Sequence, residues 1–290
     1  MEWQSGRRSD NVDDERGGGG GGGGRVALGG GAVVLIVVVG ALLGKSPGEI
    51  LSLLSQANDQ AQQSGQAAPG PAAPGPDDVG KDFVRSVLAS TEDVWGAVFQ
   101  ASGQSYPRPH LVLFRDGVQS ACGMADSAVG PFYCPGDSKV YLDLAFFEEL
   151  DQRFHAPGEF ARAYVVAHEI GHHVQNVLGI EEKVSELRAG RSKAEKNALS
   201  VRTELQADCL AGVWAFHAQQ QRPFLQDGDL ESALGAATAI GDDRLQKQAR
   251  GTVVPETFTH GSSAQRVKWF RTGFTVGTVK ACDTFGTSDL

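Results

Sequence analysis

The chain of 290 residues has no surplus of positive charge: 26 Lys and Arg stand against 35 Asp and Glu, giving a formal net charge of -9 and a pI near 5.3. That balance excludes nucleic acid as a partner. A phosphate-binding surface works by releasing counterions to a Lys/Arg excess, and no basic stripe interrupts the acidic composition. Cysteine is also scarce. Cys122, Cys134, Cys209 and Cys282 contain no C-x-x-C spacing, so neither a zinc knuckle nor a thioredoxin-like motif is present. An even number predicts two disulfides. Three connectivities are open, of which the simplest joins Cys122 to Cys134 across a Gly/Pro-containing loop and leaves Cys209 for Cys282.

Residues 1–25 lack the apolar content of a folded segment: charges of both signs lead into an unbroken glycine run, Gly17 to Gly24. Such sequence cannot bury enough apolar surface to offset backbone entropy, which predicts a disordered tail. Residues 26–44 lack charge instead. From Val26 to Leu43 (VALGGGAVVLIVVVGALL) nothing ionises. At about 1.5 Å per residue this run spans roughly 27 Å, which predicts one transmembrane helix. Arg7, Arg8, Arg16 and Arg25 precede it while only Lys45 follows closely. That asymmetry predicts a single-pass cell-membrane protein with a cytoplasmic N-terminus and an extracytoplasmic remainder, where disulfides persist. A cleaved signal peptide is the alternative; the run exceeds the usual apolar core of roughly 7 to 15 residues, and Ser55-Gln56-Ala57 is a distant cleavage site. Residues 45–80, with AAPGPAAPGP, read as a flexible Pro/Gly/Gln-rich linker.

Residues 81–290 remain, long enough to bury about 70% of their unfolded surface around one core. Phe83, Val84, Val87, Leu88, Val94, Trp95 and Val98 recur at spacings of three and four, predicting an amphipathic helix over Lys81–Gln100. His110–Phe114 (HLVLF) and Lys139–Leu144 (KVYLDL) read as strands. Tyr141, Leu142 and Asp143 could then lie on an edge strand that accepts extended peptide, or simply in the core. From Pro157 to about Arg250 the pattern is helical. The expected class is α+β, a helix-rich domain with a small β-sheet, preceded by one transmembrane helix.

Within the helical stretch, ARAYVVAHEIGHHVQNVLG contains H-E-x-x-H as His168, Glu169 and His172. A spacing of four puts both imidazoles on one helical face, where they can share a metal ion, and leaves Glu169 beside it as a base. Two histidines are not enough, because a catalytic zinc takes three protein ligands and an open position. A longer H-E-x-x-H-x-x-G-x-x-H pattern is excluded: its Gly falls on Gln175 and its last His on Leu178. Glu204, in RTELQADCLAGVWAF, is the best third ligand, with Asp208 one turn on as a hydrogen-bond partner for a ligating imidazole. His173 points about 100° away from His172 and cannot share its metal face.

HEIGHH, ELQADCLAG and FTHGSSAQRVKWF, preceded by ACGMADSAVGPFYCPGDSKVYLDLAFF, together resemble the bacterial neutral zinc metallopeptidase family over about Asp82–Phe285. The resemblance implies a zincin-like fold with Zn2+ held by His168, His172 and Glu204, catalysis by Glu169 and support from Asp208. It also implies a peptide or protein substrate and extends the pattern to Asp242 and Asp243, for which helix capping or a local ion pair is the simpler role. A second oxyanion donor besides zinc is expected, His260 first and Arg266 in its place. His217 reads as a solvated residue. Two rival functions remain open: a zinc-containing binding or scaffold protein of the cell envelope without turnover, and a structural envelope protein. The first is opposed by the retained Glu169, and the second leaves the His/Glu set unexplained.

Overall fold

Residues 1–16 and 78–290 are described by a computed structural model. The strands are β1 (Val12–Asp14), β2 (His110–Phe114), β3 (Gly117–Ser120), β4 (Gly123–Asp126), β5 (Phe132–Cys134) and β6 (Lys139–Asp143). One sheet has the order β1-β2-β6-β5, with β1, β2 and β6 parallel and β5 antiparallel at the edge; β3 and β4 form a separate hairpin. The helices are α1 (Val79–Ala101), α2 (Ala145–Gln152), α3 (Glu159–Val177), α4 (Ile180–Arg188), α5 (Lys193–Gln221), α6 (Asp229–Ala239), α7 (Asp242–Arg250) and α8 (Ser263–Val276).

Helix α1 opens at Asp78, whose side chain accepts the Lys81 backbone N–H, and it buries Phe83, Val84, Val87, Leu88, Val94, Trp95 and Phe99. This is the face set by the spacing of three and four. Helices α5 and α8 each begin with a reciprocal capping box, Ser192 with Glu195 and Ser262 with Gln265. Gly212 on α5 and Gly273 on α8 bring the two helices together closely enough that a Cβ at either would collide with the other's backbone. Disulfide Cys209–Cys282 ties α5 to the segment that follows α8, and Cys122–Cys134 ties β5 to the turn between β3 and β4.

Three sequence expectations change. First, among the described residues no helix is long and apolar enough to cross a membrane, so the structure is helix-rich with small sheets but without the transmembrane helix; Val26–Leu43 lies outside the described residues. Second, residues 1–16 are not a disordered tail. They form β1 on the edge of β2, and Trp3 lies in the main core. Their mixed charges, which made them look solvated, are neutralised in pairs: Arg7 with Glu92 and Asp93, and Arg8 with Asp82. Third, of the two readings open for Tyr141–Asp143, the core strand holds and the edge strand does not. Strand β6 lies between β2 and β5, because Val140, Tyr141 and Leu142 are all buried, and the edge belongs to β5. The linker expected over 45–80 lies almost wholly outside the described residues.

Candidate metal centre

Helix α3 carries His168, Glu169 and His172 through the interior, and α5 crosses it with Glu204 and Asp208. Gly171 makes the crossing possible. A Cβ there would stand 2.8 Å from the carbonyl oxygen of Ala207, so the glycine inside HEIGHH sets the distance between the helices that supply the ligands. One donor atom from each of His168, His172 and Glu204 lies within 4.8 Å of the others. Glu204 Oε2 is 3.2 Å from His168 Nε2, and Oε1 is 3.6 Å from His172 Nε2. Two imidazole nitrogens and one carboxylate are the donor set that a catalytic zinc takes from protein.

Both imidazoles are oriented from behind. Asp208 Oδ1 is 2.9 Å from His168 Nδ1, and a carboxylate can only accept, so Nδ1 carries a proton and Nε2 is the nitrogen turned toward Glu204. Asp208 is fully buried and also accepts from Arg266, at 2.9 Å to each oxygen, and from the Tyr164 hydroxyl. Burial alone would raise its pKa; the Arg266 and His168 charges outweigh that and hold it at about 2. Arg266, the alternative oxyanion donor, is therefore engaged behind His168. On the other imidazole, the Gln175 amide nitrogen donates to Thr203 O at 2.8 Å and Gln206 Oε1 at 3.0 Å. That turns its oxygen to His172 Nδ1 at 2.9 Å, so His172 too carries a proton on Nδ1 and turns Nε2 toward Glu204. Sequence reasoning met Gln175 only as the residue that breaks the longer motif; its role depends on partners from another helix.

Glu169 is buried beside the two histidines. Burial raises its pKa more than the charges of His168 and His172 lower it. With His172 and Glu204 the balance differs. Burial lowers the His172 pKa, but the Glu204 carboxylate outweighs it and raises it to about 10. Glu204, which burial alone would raise, is held well below the ordinary carboxylate range by His172 and His168.

A cleft of about 640 Å³ opens over these groups. Phe132 and Tyr133 of the edge strand line it on one side, Phe146, Phe154 and Val165 contribute apolar wall, and His260 borders it. Asp242 fixes His260: its Oδ2 accepts the backbone N–H groups of Thr259, His260 and Gly261 at 2.7, 2.6 and 3.1 Å, and its Oδ1 lies 3.3 Å from His260 Nδ1. Gly261 sits at φ +90°, a conformation glycine adopts without strain, which lets the loop fold around that carboxylate. The Asp242 hydrogen bond raises the His260 pKa, and about half of the side chain remains exposed. Asp243 instead accepts from the Ser263 backbone and hydroxyl at 2.7 and 2.8 Å and fixes the start of α8. His173 turns away to Pro107 O at 2.7 Å and the Tyr133 hydroxyl at 3.2 Å. His217, expected to be solvated, is partly buried and bonds Gly277 O at 2.8 Å.

The chain is 47% identical to the uncharacterized protein YpfJ of Escherichia coli over 291 residues, covering 99% of this chain and 100% of that one. It is 44% identical over 262 residues to the uncharacterized proteins Mb2605 of Mycobacterium bovis and Rv2575 of Mycobacterium tuberculosis, covering 86% of each chain. No solved structure matches it at a significant level. A family model described as "Putative neutral zinc metallopeptidase" matches residues 1–285, and the chain belongs to that family.

Proposed function

We propose that the chain is a zinc-dependent peptidase that hydrolyses peptide bonds with His168, His172 and Glu204 as metal ligands and Glu169 as general base. The observation that carries this reading is the convergence of those three donors within 4.8 Å with both imidazole tautomers set from behind. The donor set fits Zn2+, which when bound polarises a peptide carbonyl and acidifies water.

The rest of the reaction belongs to side chains of this chain. Glu169 accepts a proton from the water that attacks the carbonyl carbon, then delivers it to the leaving amine as the C–N bond breaks. His260, kept cationic over a wider pH range by Asp242, donates a hydrogen bond to the oxygen on which negative charge develops. An extended substrate fits beside β5, whose outer edge has no strand partner among the described residues. Phe146, Phe154 and Val165 offer an apolar side chain of the substrate a place to desolvate. The two disulfides favour an oxidising compartment for this activity.

The deciding experiment measures zinc content and cleavage of an unfolded protein by the parent and by Glu169→Gln. Both should bind one zinc per chain, and the variant should turn over about 10²–10⁴-fold more slowly. A parent without zinc, or a variant as fast as the parent, overturns the reading. Zinc in both with cleavage by neither favours the noncatalytic binding protein.

A further inference from the structure

Residues 1–16 are part of the unit that holds the candidate metal centre. Trp3 is 6% exposed, stands edge-on to Phe83 with ring centroids 5.4 Å apart, and donates its indole N–H to Glu159 Oε1 at 2.7 Å. Glu159 is the first residue of the metal-bearing helix α3. Arg8 grips Asp82 with two bonds of 2.6 and 2.7 Å. Residues Val12, Asp13 and Asp14 pair in register with Leu111, Val112 and Leu113, and Leu111 N and Glu15 N complete the ladder to Asn11 O and Leu113 O at 2.9 and 2.8 Å.

Glu92 is the sharpest observation. It lies in the middle of α1 and is 1% exposed. Among the described residues its carboxylate is met by Arg7 at 2.7 Å, Ser9 Oγ at 2.6 Å and Asn11 Nδ2 at 2.7 Å, all from the first 16 residues. A buried carboxylate needs partners of this kind, and uncovering α1 would strip every one of them. The arginines counted as a cytoplasmic retention signal are employed in the fold as well: Arg7 and Arg8 as above, and Arg16 with Asp14 and Asp78.

We propose that residues 1–16 and residues 78–290 form one unit in one compartment, so that any excursion of the intervening chain into a lipid bilayer begins and ends on the same side. The arrangement expected from sequence, a cytoplasmic N-terminus with an extracytoplasmic catalytic domain, would pull β1 off β2 and Trp3 out of the core.

The test uses the full chain in spheroplasts, carrying Gln4→Cys, Asp10→Cys or Asp227→Cys singly. All three positions are exposed, and because the four native cysteines are paired, the added thiol is the one that reacts. A membrane-impermeant maleimide should label all three to the same extent before lysis, whether fully or not at all. Labelling of Asp227→Cys with protection of both Gln4→Cys and Asp10→Cys until lysis, or the reverse, overturns the proposal. A second measurement guards against an added cysteine that disturbs the fold: protease digestion of residues 78–290 in the same spheroplasts, or in lysate if they are protected there. Trp3→Ala should speed it about tenfold or more, because cleavage follows the population of the opened state. An unchanged rate counts against the arm being seated in the cell.

Discussion

Two buried carboxylates organise opposite parts of this molecule, and they differ in where their partners come from. Asp208 accepts from His168, Tyr164 and Arg266, all within the helical region that holds the candidate metal site. Glu92 accepts from Arg7, Ser9 and Asn11, at the far end of the sequence. The first carboxylate orients the imidazole of His168, a candidate metal ligand; the second fastens a strand and an indole to the sheet and core. The same element of physics, a desolvated charge surrounded by donors, therefore orders the candidate metal site in one place and places the chain in the other.

Removing each carboxylate separates the two roles. Asp208→Ala leaves the Arg266 guanidinium buried and unpaired, which should cost about 3–5 kcal/mol of stability by denaturant titration and reduce zinc affinity as well. Glu92→Ala should cost less, about 1–3 kcal/mol, because Arg7 can turn to solvent and only Ser9 and Asn11 lose a buried acceptor, with zinc affinity unchanged. Equal losses of zinc in the two variants would break the comparison. Gln175→Leu removes the acceptor behind His172 without leaving a charge, and should weaken zinc binding about 10–100-fold in a competitive chelator titration. The smallest effect lies at the cleft border. Asp242 raises the His260 pKa, so a step that needs the cation holds below that pKa and fails as pH rises through it. Asp242→Asn should move the basic limb of the kcat/KM profile to lower pH, and an unmoved limb would remove His260 from the reaction.

The sequence made part of this legible for a physical reason. Two imidazoles that reach one point from a single helix sit one turn apart, so His168 and His172 appear as a local pattern, and Glu204 and Asp208 repeat that spacing on α5. Strands β2 and β6 were visible because short apolar or alternating runs end at turn residues. The arm was invisible because its charges are complementary to a helix more than sixty residues away: Arg8 to Asp82, and Asp10 to Arg85. Local composition cannot distinguish such a segment from a solvated one. Strands β3, β4 and β5 were hidden in a Gly-punctuated segment whose pairing depends on Cys122–Cys134 and on β6.

Residue 175 carries a consequence for anyone redesigning this scaffold. In the longer histidine pattern a glycine stands at that position and a third histidine follows on the same segment. Here Gln175 joins His172 to Thr203 and Gln206, and Gln206 continues to the carbonyl of Cys282 at 2.9 Å. The two solutions are mutually exclusive at a single side chain: installing the glycine would remove the amide that orients His172 from behind and ties it to α5. Conversion between them would have to exchange residues 175, 178 and 204, and a route that begins by replacing Gln175 or Glu204 passes through a site with fewer working donors than either end.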